Sequence, residues 1–152
     1  MNLIVKLIPP HSYNPSPTPD KNDKPGYGKY LVTIAGCSDC HTPMEKGKRL
    51  PGMDFAGGFE FKLPMGTIRS ANITPDPDLG IGKWTKEDFI KRFKSMESDS
   101  SKNIVVREGE FNTVMPWTMF AGMEVEDLGA IYEYLRTLTP VSHIVVRFTP
   151  AK

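Results

Sequence analysis

The segment Cys37-Ser38-Asp39-Cys40-His41 contains the only two cysteines of the 152-residue chain, separated by two residues and followed directly by a histidine. Apolar residues recur at helical spacing just before it, at Tyr27, Tyr30, Leu31 and Ile34. We therefore predict a helix that brings the cysteine pair to its carboxyl end.

A Cys-x-x-Cys-His sequence is the signature of covalent haem attachment. Each thiol adds to one vinyl group, and because the two vinyls lie on neighbouring pyrrole rings, about one turn of chain must span them. The adjacent imidazole is then placed to ligate the iron. The sequence predicts one haem c, bound through Cys37 and Cys40, with His41 as an iron ligand.

Two other sites also use paired cysteines. A thioredoxin-like redox site would require a βαβ setting, and no such pattern surrounds the pair. A zinc site would require two further ligands. Only His11 and His143 remain as histidines, and they lie in terminal segments without zinc-type spacing.

An electron-transfer haem usually takes methionine or histidine as its second iron ligand, and the chain has eight methionines. Met115 precedes Pro116, which biases it to extended backbone on a stiffened loop between two predicted helices. Met119 and Met123 have the i, i+4 spacing of packing residues. We predict Met115 as the ligand, with Met65 as its competitor.

Outside this segment the chain is rich in turns. Residues 9–25 hold six prolines and predict an extended arm, and residues 42–82 predict loops. Thr85–Asp88 resembles a capping box ahead of a helix whose apolar face carries Phe89, Ile90 and Phe93. A last helix is expected from about residue 125 to residue 138, ended by Thr139 and Pro140.

Three segments are rich in β-branched residues and predict strands: Ile104–Val106, His143–Phe148 and Leu3–Ile8. The last two lie near opposite ends of the chain, so we hypothesise that they pair with each other.

Composition excludes several functions. The net charge of +1 gives no reason to expect nucleic-acid binding, and no apolar run is long enough to span a membrane. Residues 3–8 are too short for a signal-peptide core, so we interpret Met1 as the start of a trimmed or mature chain. Since bacteria attach haem c outside the cytoplasmic membrane, we expect a periplasmic or other extracytoplasmic location.

Three stretches resemble a known family: Gly28–Pro43 (GKYLVTIAGCSDCHTP), Ala71–Trp84 (ANITPDPDLGIGKW), and Met115–Trp117 followed by Asp127–Leu138 (DLGAIYEYLRTL). Together they make the chain similar to a class I cytochrome c domain, and in particular to the cytochrome c subunits of bacterial membrane-bound alcohol and gluconate dehydrogenases. The attachment motif is common to all haem c proteins, whereas the second stretch is far more specific.

The resemblance implies an all-α class I fold around the haem, with His41 and Met115 as axial ligands; the hypothesised pair of terminal strands would add a small β element. The resemblance covers a cytochrome domain at residues 26–140, and the composition outside it predicts an extended arm at residues 1–25 and a strand-like tail at residues 141–152, neither of which has a counterpart in the family. Such subunits usually carry three domains and an anchor, whereas this chain has one domain. Expected partners are redox proteins such as a dehydrogenase or terminal oxidase, and membrane association would come through a partner or a missing anchor.

Further residues are candidates for the surroundings of the haem. Asn72 and Trp84 are predicted either to donate to the haem propionates or to fix a turn. Arg69 is predicted either to pair with a propionate or to lie on the surface. Lys46, Lys48 and Arg49 form either a basic rim that steers an acidic partner or a solvated loop.

The function expected from these features is single-electron transfer by a carrier that is not itself an enzyme. Two alternatives remain at this point. One is a sensor or catalyst with an open or displaceable sixth ligand, and the other is a redox subunit that works only when docked in a larger dehydrogenase or respiratory complex.

Overall fold

A computed structural model describes residues 19–107 and 109–151, apart from the side chain of Lys102. Within them lie helices α1 (Lys24–Ile34), α2 (Cys37–His41), α3 (Lys86–Lys94), α4 (Asp99–Lys102), α5 (Trp117–Ala121) and α6 (Val125–Arg136), and strands β1 (Met44–Glu45), β2 (Lys48–Arg49), β3 (Glu60–Leu63), β4 (Gly66–Arg69) and β5 (Phe148–Pro150). The all-α expectation is therefore not confirmed, because short strands accompany the helices. Among the described residues, no helix is both long and apolar enough to cross a membrane.

The packing of α1 against α6 forms the centre of the molecule. Tyr27 Oη donates to Asp127 Oδ1 at 3.0 Å, across these two helices. Around them lies a set of buried apolar residues, called the core cluster below: Tyr27, Leu31, Val32, Phe55, Ile81, Phe89, Phe93, Leu128, Ala130, Ile131 and Leu135. Their burial supplies the main apolar stabilisation of the fold.

Helix α3 confirms the predicted capping box. The Thr85 side chain accepts from the backbone N–H of Asp88, and the Asp88 carboxylate accepts from the backbone N–H of Thr85. Phe89 and Phe93 are buried on the inner face, with Ile90 partly buried beside them. Helix α6 likewise confirms its prediction, although it ends at Arg136, two residues before the expected end.

The start of α1 falls within the segment that was predicted as an extended arm. Helix α1 begins at Lys24, and Pro25 lies in its first turn, where proline is tolerated because the first N–H groups have no partner within the helix. Asp23 caps this end by accepting from Gly26 N at 3.1 Å. The rest of the proposed arm, including Leu3–Ile8, lies largely outside the described residues.

Two antiparallel hairpins replace part of the loop predicted for residues 42–82. Strands β1 and β2 are joined by Lys46 and Gly47, both with positive φ (51° and 76°), which suits the tight turn of a two-residue hairpin. Strands β3 and β4 form the second hairpin. Composition missed both because these strands are short and mostly polar on their outer faces.

Strand β5 confirms only the end of the predicted strand His143–Phe148. It pairs with β4, with Phe148 opposite Ile68, so the three strands lie in the order β3-β4-β5. The strand predicted at Ile104–Val106 is wrong: these residues are irregular and pair with no strand in the described part of the chain, and Val105 is 85% exposed, so β-branched content alone did not produce a strand here.

Candidate haem-binding site

The two thiols lie one turn apart on α2, which follows α1 after a sharp change of backbone direction. Gly36 makes this change in the left-handed conformation, with φ 63° and ψ 26°. Cys37 is half-buried and packs against the core cluster, whereas Cys40 is exposed. Neither thiol is in a disulfide, so both are available for thioether bonds.

A backbone carbonyl orients the ring of His41. Its Nδ1 lies 2.7 Å from Ala71 O. Because a carbonyl can only accept, Nδ1 carries the proton and Nε2 keeps its lone pair, which is the tautomer that an iron ligand requires. Burial lowers the pKa of His41 and outweighs the hydrogen bond to Ala71 O, which raises it; the positive charge of Arg147 adds to the lowering, so the neutral imidazole is favoured.

Gly57 lies against both His41 and Ala71 and leaves room for the bond between them. Its N–H donates to His41 O at 2.7 Å. A Cβ at Gly57 would lie 2.3 Å from the carbonyl carbon of Ala71, and the residue has φ +73°. Glycine is therefore required at this position both for space and for backbone conformation.

Met115 lies on a tight turn that positions its side chain. Pro116 has φ −78° and ψ 64°, and Trp117 N donates to Met115 O at 2.8 Å, which together define an inverse γ-turn. Thr113 Oγ1 accepts from Met115 N at 3.1 Å. The half-buried Met115 packs against the core cluster, the same cluster that Cys37 contacts.

The other methionines have different surroundings. Met65 lies in the turn between β3 and β4, where its carbonyl accepts from Ala151 N at 3.0 Å, and it is not among the residues that pack on the core cluster. Met119 is 78% exposed, whereas Met123 packs against the cluster. Contact with the core cluster thus separates Met115 and Met123 from Met65, and the choice of Met115 as the ligand stays a prediction.

Asn72 follows directly after the carbonyl that holds His41. Its Nδ2 donates to Val141 O at 2.7 Å, and its Oδ1 accepts from Thr74 N at 2.9 Å. These bonds favour the turn-fixing role over the propionate role, and they also hold the start of the C-terminal tail against the loop.

Arg69 and Trp84 both bond to other parts of the protein. Arg69 Nη2 lies 2.7 Å from Glu60 Oε1, and its Nη1 donates to Val146 O at 3.2 Å, so this guanidinium joins β3 to the tail. Trp84 is 38% exposed, and its carbonyl accepts from Tyr132 Oη at 2.8 Å. For both residues, contact with a propionate stays a prediction.

The proposed basic rim is partly neutralised. Arg49 pairs with Asp39, which lies within the attachment helix itself. Lys46 and Lys48 are exposed on the β1–β2 hairpin. The pair ties this hairpin to α2, which reduces the charge available for steering.

Trp117 was missed in the sequence, although its position two residues after the predicted Met ligand was a usable signal. Its Nε1 is buried and has no hydrogen-bond partner among the described residues. An orphaned donor of this kind is costly, so it points to a ligand group that accepts from it. Together with two free thiols and a neutral imidazole, this donor makes the site chemically suited to haem.

The chain is similar to known cytochrome c proteins. The family model for cytochrome c matches residues 26–139. The chain is 37% identical over 70% of its length to the cytochrome c subunit of the quinone-dependent alcohol dehydrogenase of Gluconobacter oxydans. It is 33% identical over 80% to the fructose dehydrogenase cytochrome subunit of Gluconobacter japonicus. It is 35% identical over 76% to the gluconate 2-dehydrogenase cytochrome c subunit of Pantoea cypripedii. The chain spans 20%, 23% and 23% of these relatives, respectively.

Proposed function

The chain belongs to the cytochrome c family, and on that premise we propose that it is a one-electron carrier with a single haem whose iron is held by His41 and Met115. The haem is attached through Cys37 and Cys40. The observation that carries the proposal is the bond from His41 Nδ1 to Ala71 O, which leaves Nε2 free for the metal.

The chain's own residues keep the site rigid during electron transfer. Bound haem supplies the one-electron couple of its iron. The carbonyl of Ala71 holds the plane of the His41 ring, and the γ-turn at Pro116 fixes the backbone of Met115. Because both ligand segments are restrained, little must reorganise between the two oxidation states. The soft thioether of Met115 would favour the ferrous state of a bound haem and would raise its potential relative to a site with two histidines.

The relatives support a proposal about the physiological partner. Three of them are named as cytochrome subunits of alcohol, fructose and gluconate dehydrogenases. We propose that this chain accepts electrons from a dehydrogenase of this kind and passes them to a further redox protein, at an extracytoplasmic face of the cell. A domain at residues 26–140, with an arm before it and a tail after it, stays part of the proposal.

The direct test is a pyridine haemochrome spectrum of the purified protein, with protein concentration measured independently. We expect one haem per chain and the band position of a haem with both thioethers formed. A Cys40→Ala variant should shift that band to the position of a single thioether. A value of zero haems, or of more than one, would overturn the proposal.

A second measurement tests the ligand set. Carbon monoxide added to the reduced protein should bind slowly or not at all, since Met115 would hold the sixth position of the iron. Rapid and complete binding would instead indicate a five-coordinate iron, and the function would then be gas sensing or catalysis.

A further inference from the structure

Trp117, two residues after Met115, has a buried indole N–H without an acceptor, and two exposed arginines lie near the same part of the chain. The guanidinium carbon of Arg92 lies 4.4 Å from the ring centroid of Trp117. The indole Nε1 of Trp117 is buried without a partner among the described residues. Arg92 forms no ion pair with any carboxylate in the described part of the chain.

Arg147 approaches the same region from the C-terminal tail. Its Nε donates to Arg69 O at 2.9 Å, and its guanidinium carbon lies 5.7 Å from the ring centroid of Phe111, in the loop that leads to Met115. Within residues 19–107 and 109–151 it too has no ion pair with a carboxylate.

The two guanidiniums lie close enough for their charges to interact. Burial lowers the pKa of Arg147, and the charge of Arg92 lowers it further. Two neighbouring positive charges disfavour each other, so a negatively charged group near both of them is stabilised.

We propose that Arg92, Arg147 and Trp117 form the anchor for the two haem propionates. Two guanidiniums match two carboxylates in charge, and their planar forks suit the geometry of a carboxylate. The indole N–H of Trp117 then gains the acceptor that it lacks. The inference rests on the proposed function, since it requires a bound haem.

This anchor makes the C-terminal tail part of the cofactor site. The tail is fixed to the domain at Val141 by Asn72, at Val146 by Arg69, and through the pairing of β5 with β4. Arg147 lies between these attachments, so its backbone position is set by the sheet. The sequence resemblance ends near residue 140, and it therefore gave no reason to expect a haem contact in the tail.

The test uses the haem-loaded protein and measures its midpoint potential from pH 5 to pH 8. The variants are Arg147→Gln, Arg92→Gln and Trp117→Phe, with Arg147→Lys as the conservative variant. Arg107→Gln is the control for loss of one charge, because the Arg107 side chain is 84% exposed and faces Glu110. Resonance Raman spectra of each variant report the propionate bending bands.

The wild type should show a potential that is nearly independent of pH, because nearby guanidiniums keep the propionates ionised. Arg147→Gln should lower the potential, since a positive charge near iron disfavours the ferric state. It should also raise a propionate pKa into the measured range, so that the potential falls as the pH rises through that pKa. Arg147→Lys should restore much of both, and Trp117→Phe should shift the bending bands.

If Arg147→Gln and Arg92→Gln match Arg107→Gln in potential, pH profile and bending bands, the proposal is wrong. If they instead change only the salt dependence of electron transfer with a protein partner, the arginines form a docking surface and the anchor is excluded. Failure of the proposed function is separate, because it would appear as absence of haem from the wild-type protein.

Discussion

A Cβ placed on Gly28 would lie 1.9 Å from the carbonyl oxygen of Ala130, which shows how closely α1 and α6 approach. Neither backbone can move away without separating the two helices at the centre of the core cluster. A Gly28→Ala substitution should therefore lower the free energy of unfolding by about 1–3 kcal/mol, despite the better helix propensity of alanine. Chemical denaturation followed by circular dichroism would measure it.

Gly122→Ala is the matched control for this change. Gly122 has φ −72°, and a Cβ there would meet only Met119 O at 3.5 Å, an ordinary contact. Its stability should stay within about 0.5 kcal/mol of wild type, as for most substitutions without a clash. Equal effects of the two substitutions would contradict the close approach at Gly28.

A substitution at Gly57 tests the hydrogen bond between His41 and Ala71 without changing His41 itself. A Cβ at Gly57 would press on the carbonyl group of Ala71 and lengthen the bond from His41 Nδ1. That bond makes the imidazole a more basic ligand and so favours ferric iron. We therefore expect Gly57→Ala to raise the midpoint potential of the haem-loaded protein.

Gly52→Ala is the control variant for the effect of backbone strain alone. Gly52 has the same φ of +73° as Gly57, but nothing lies within 4 Å of a Cβ built there. It should lose stability without a change in potential. If both variants shift the potential equally, pressure on Ala71 is not the cause.

The cap of α3 predicts an effect that depends on pH. Thr85→Ala removes the side chain that accepts from Asp88 N at 3.1 Å, and it should cost about 1 kcal/mol of stability near neutral pH. Hydrogen bonds from the backbone and hydroxyl of Thr85 hold the pKa of Asp88 below its ordinary value. In Thr85→Ala this pKa should rise, which NMR titration of the carboxyl would detect.

The sign of the linkage follows from the lowered pKa. Stabilisation by ionised Asp88 is complete above the ordinary carboxyl pKa and is lost as the pH falls through the lowered pKa of the folded state. The difference in stability between wild type and Thr85→Ala should therefore shrink below about pH 4. Thr85→Ser keeps the oxygen acceptor and should behave as wild type; a cost equal to that of alanine would rule out the cap.

Periodic apolar spacing predicted α6 well, because Leu128, Ile131 and Leu135 face a core that extends along the whole helix. It was less successful for α1, where Leu31 is buried but Ile34 is 63% exposed near the attachment helix. Short strands such as β5 depend on a partner distant in sequence, and composition carries no information on which partner that is.

The residues of the site could likewise be predicted only in part. Haem attachment could be predicted from the motif Cys37–His41 alone, because the two thiols and the histidine ligand lie within about one turn of chain. The carbonyl of Ala71 was not predictable, because any residue can offer a backbone oxygen. Asn72 and Arg69 were chosen as polar groups near a specific stretch, and only the structure shows that they bond to the tail and to β3.

The sixth ligand gives the sharpest functional prediction. Met115→Ala should abolish the near-infrared charge-transfer band of a methionine bound to ferric iron, and it should lower the potential because a weaker or harder ligand replaces the thioether. It should also allow rapid binding of carbon monoxide to the reduced protein.

Met65→Ala and Met123→Ala are the controls, because each removes a thioether from a different setting. Met65 lies in the β3–β4 turn, so its loss should leave the band, the potential and the carbon monoxide reaction unchanged. Met123 packs on the core cluster like Met115, so its loss should reduce stability while the band persists. A band that survives in Met115→Ala and disappears in either control would transfer the ligand role to that methionine.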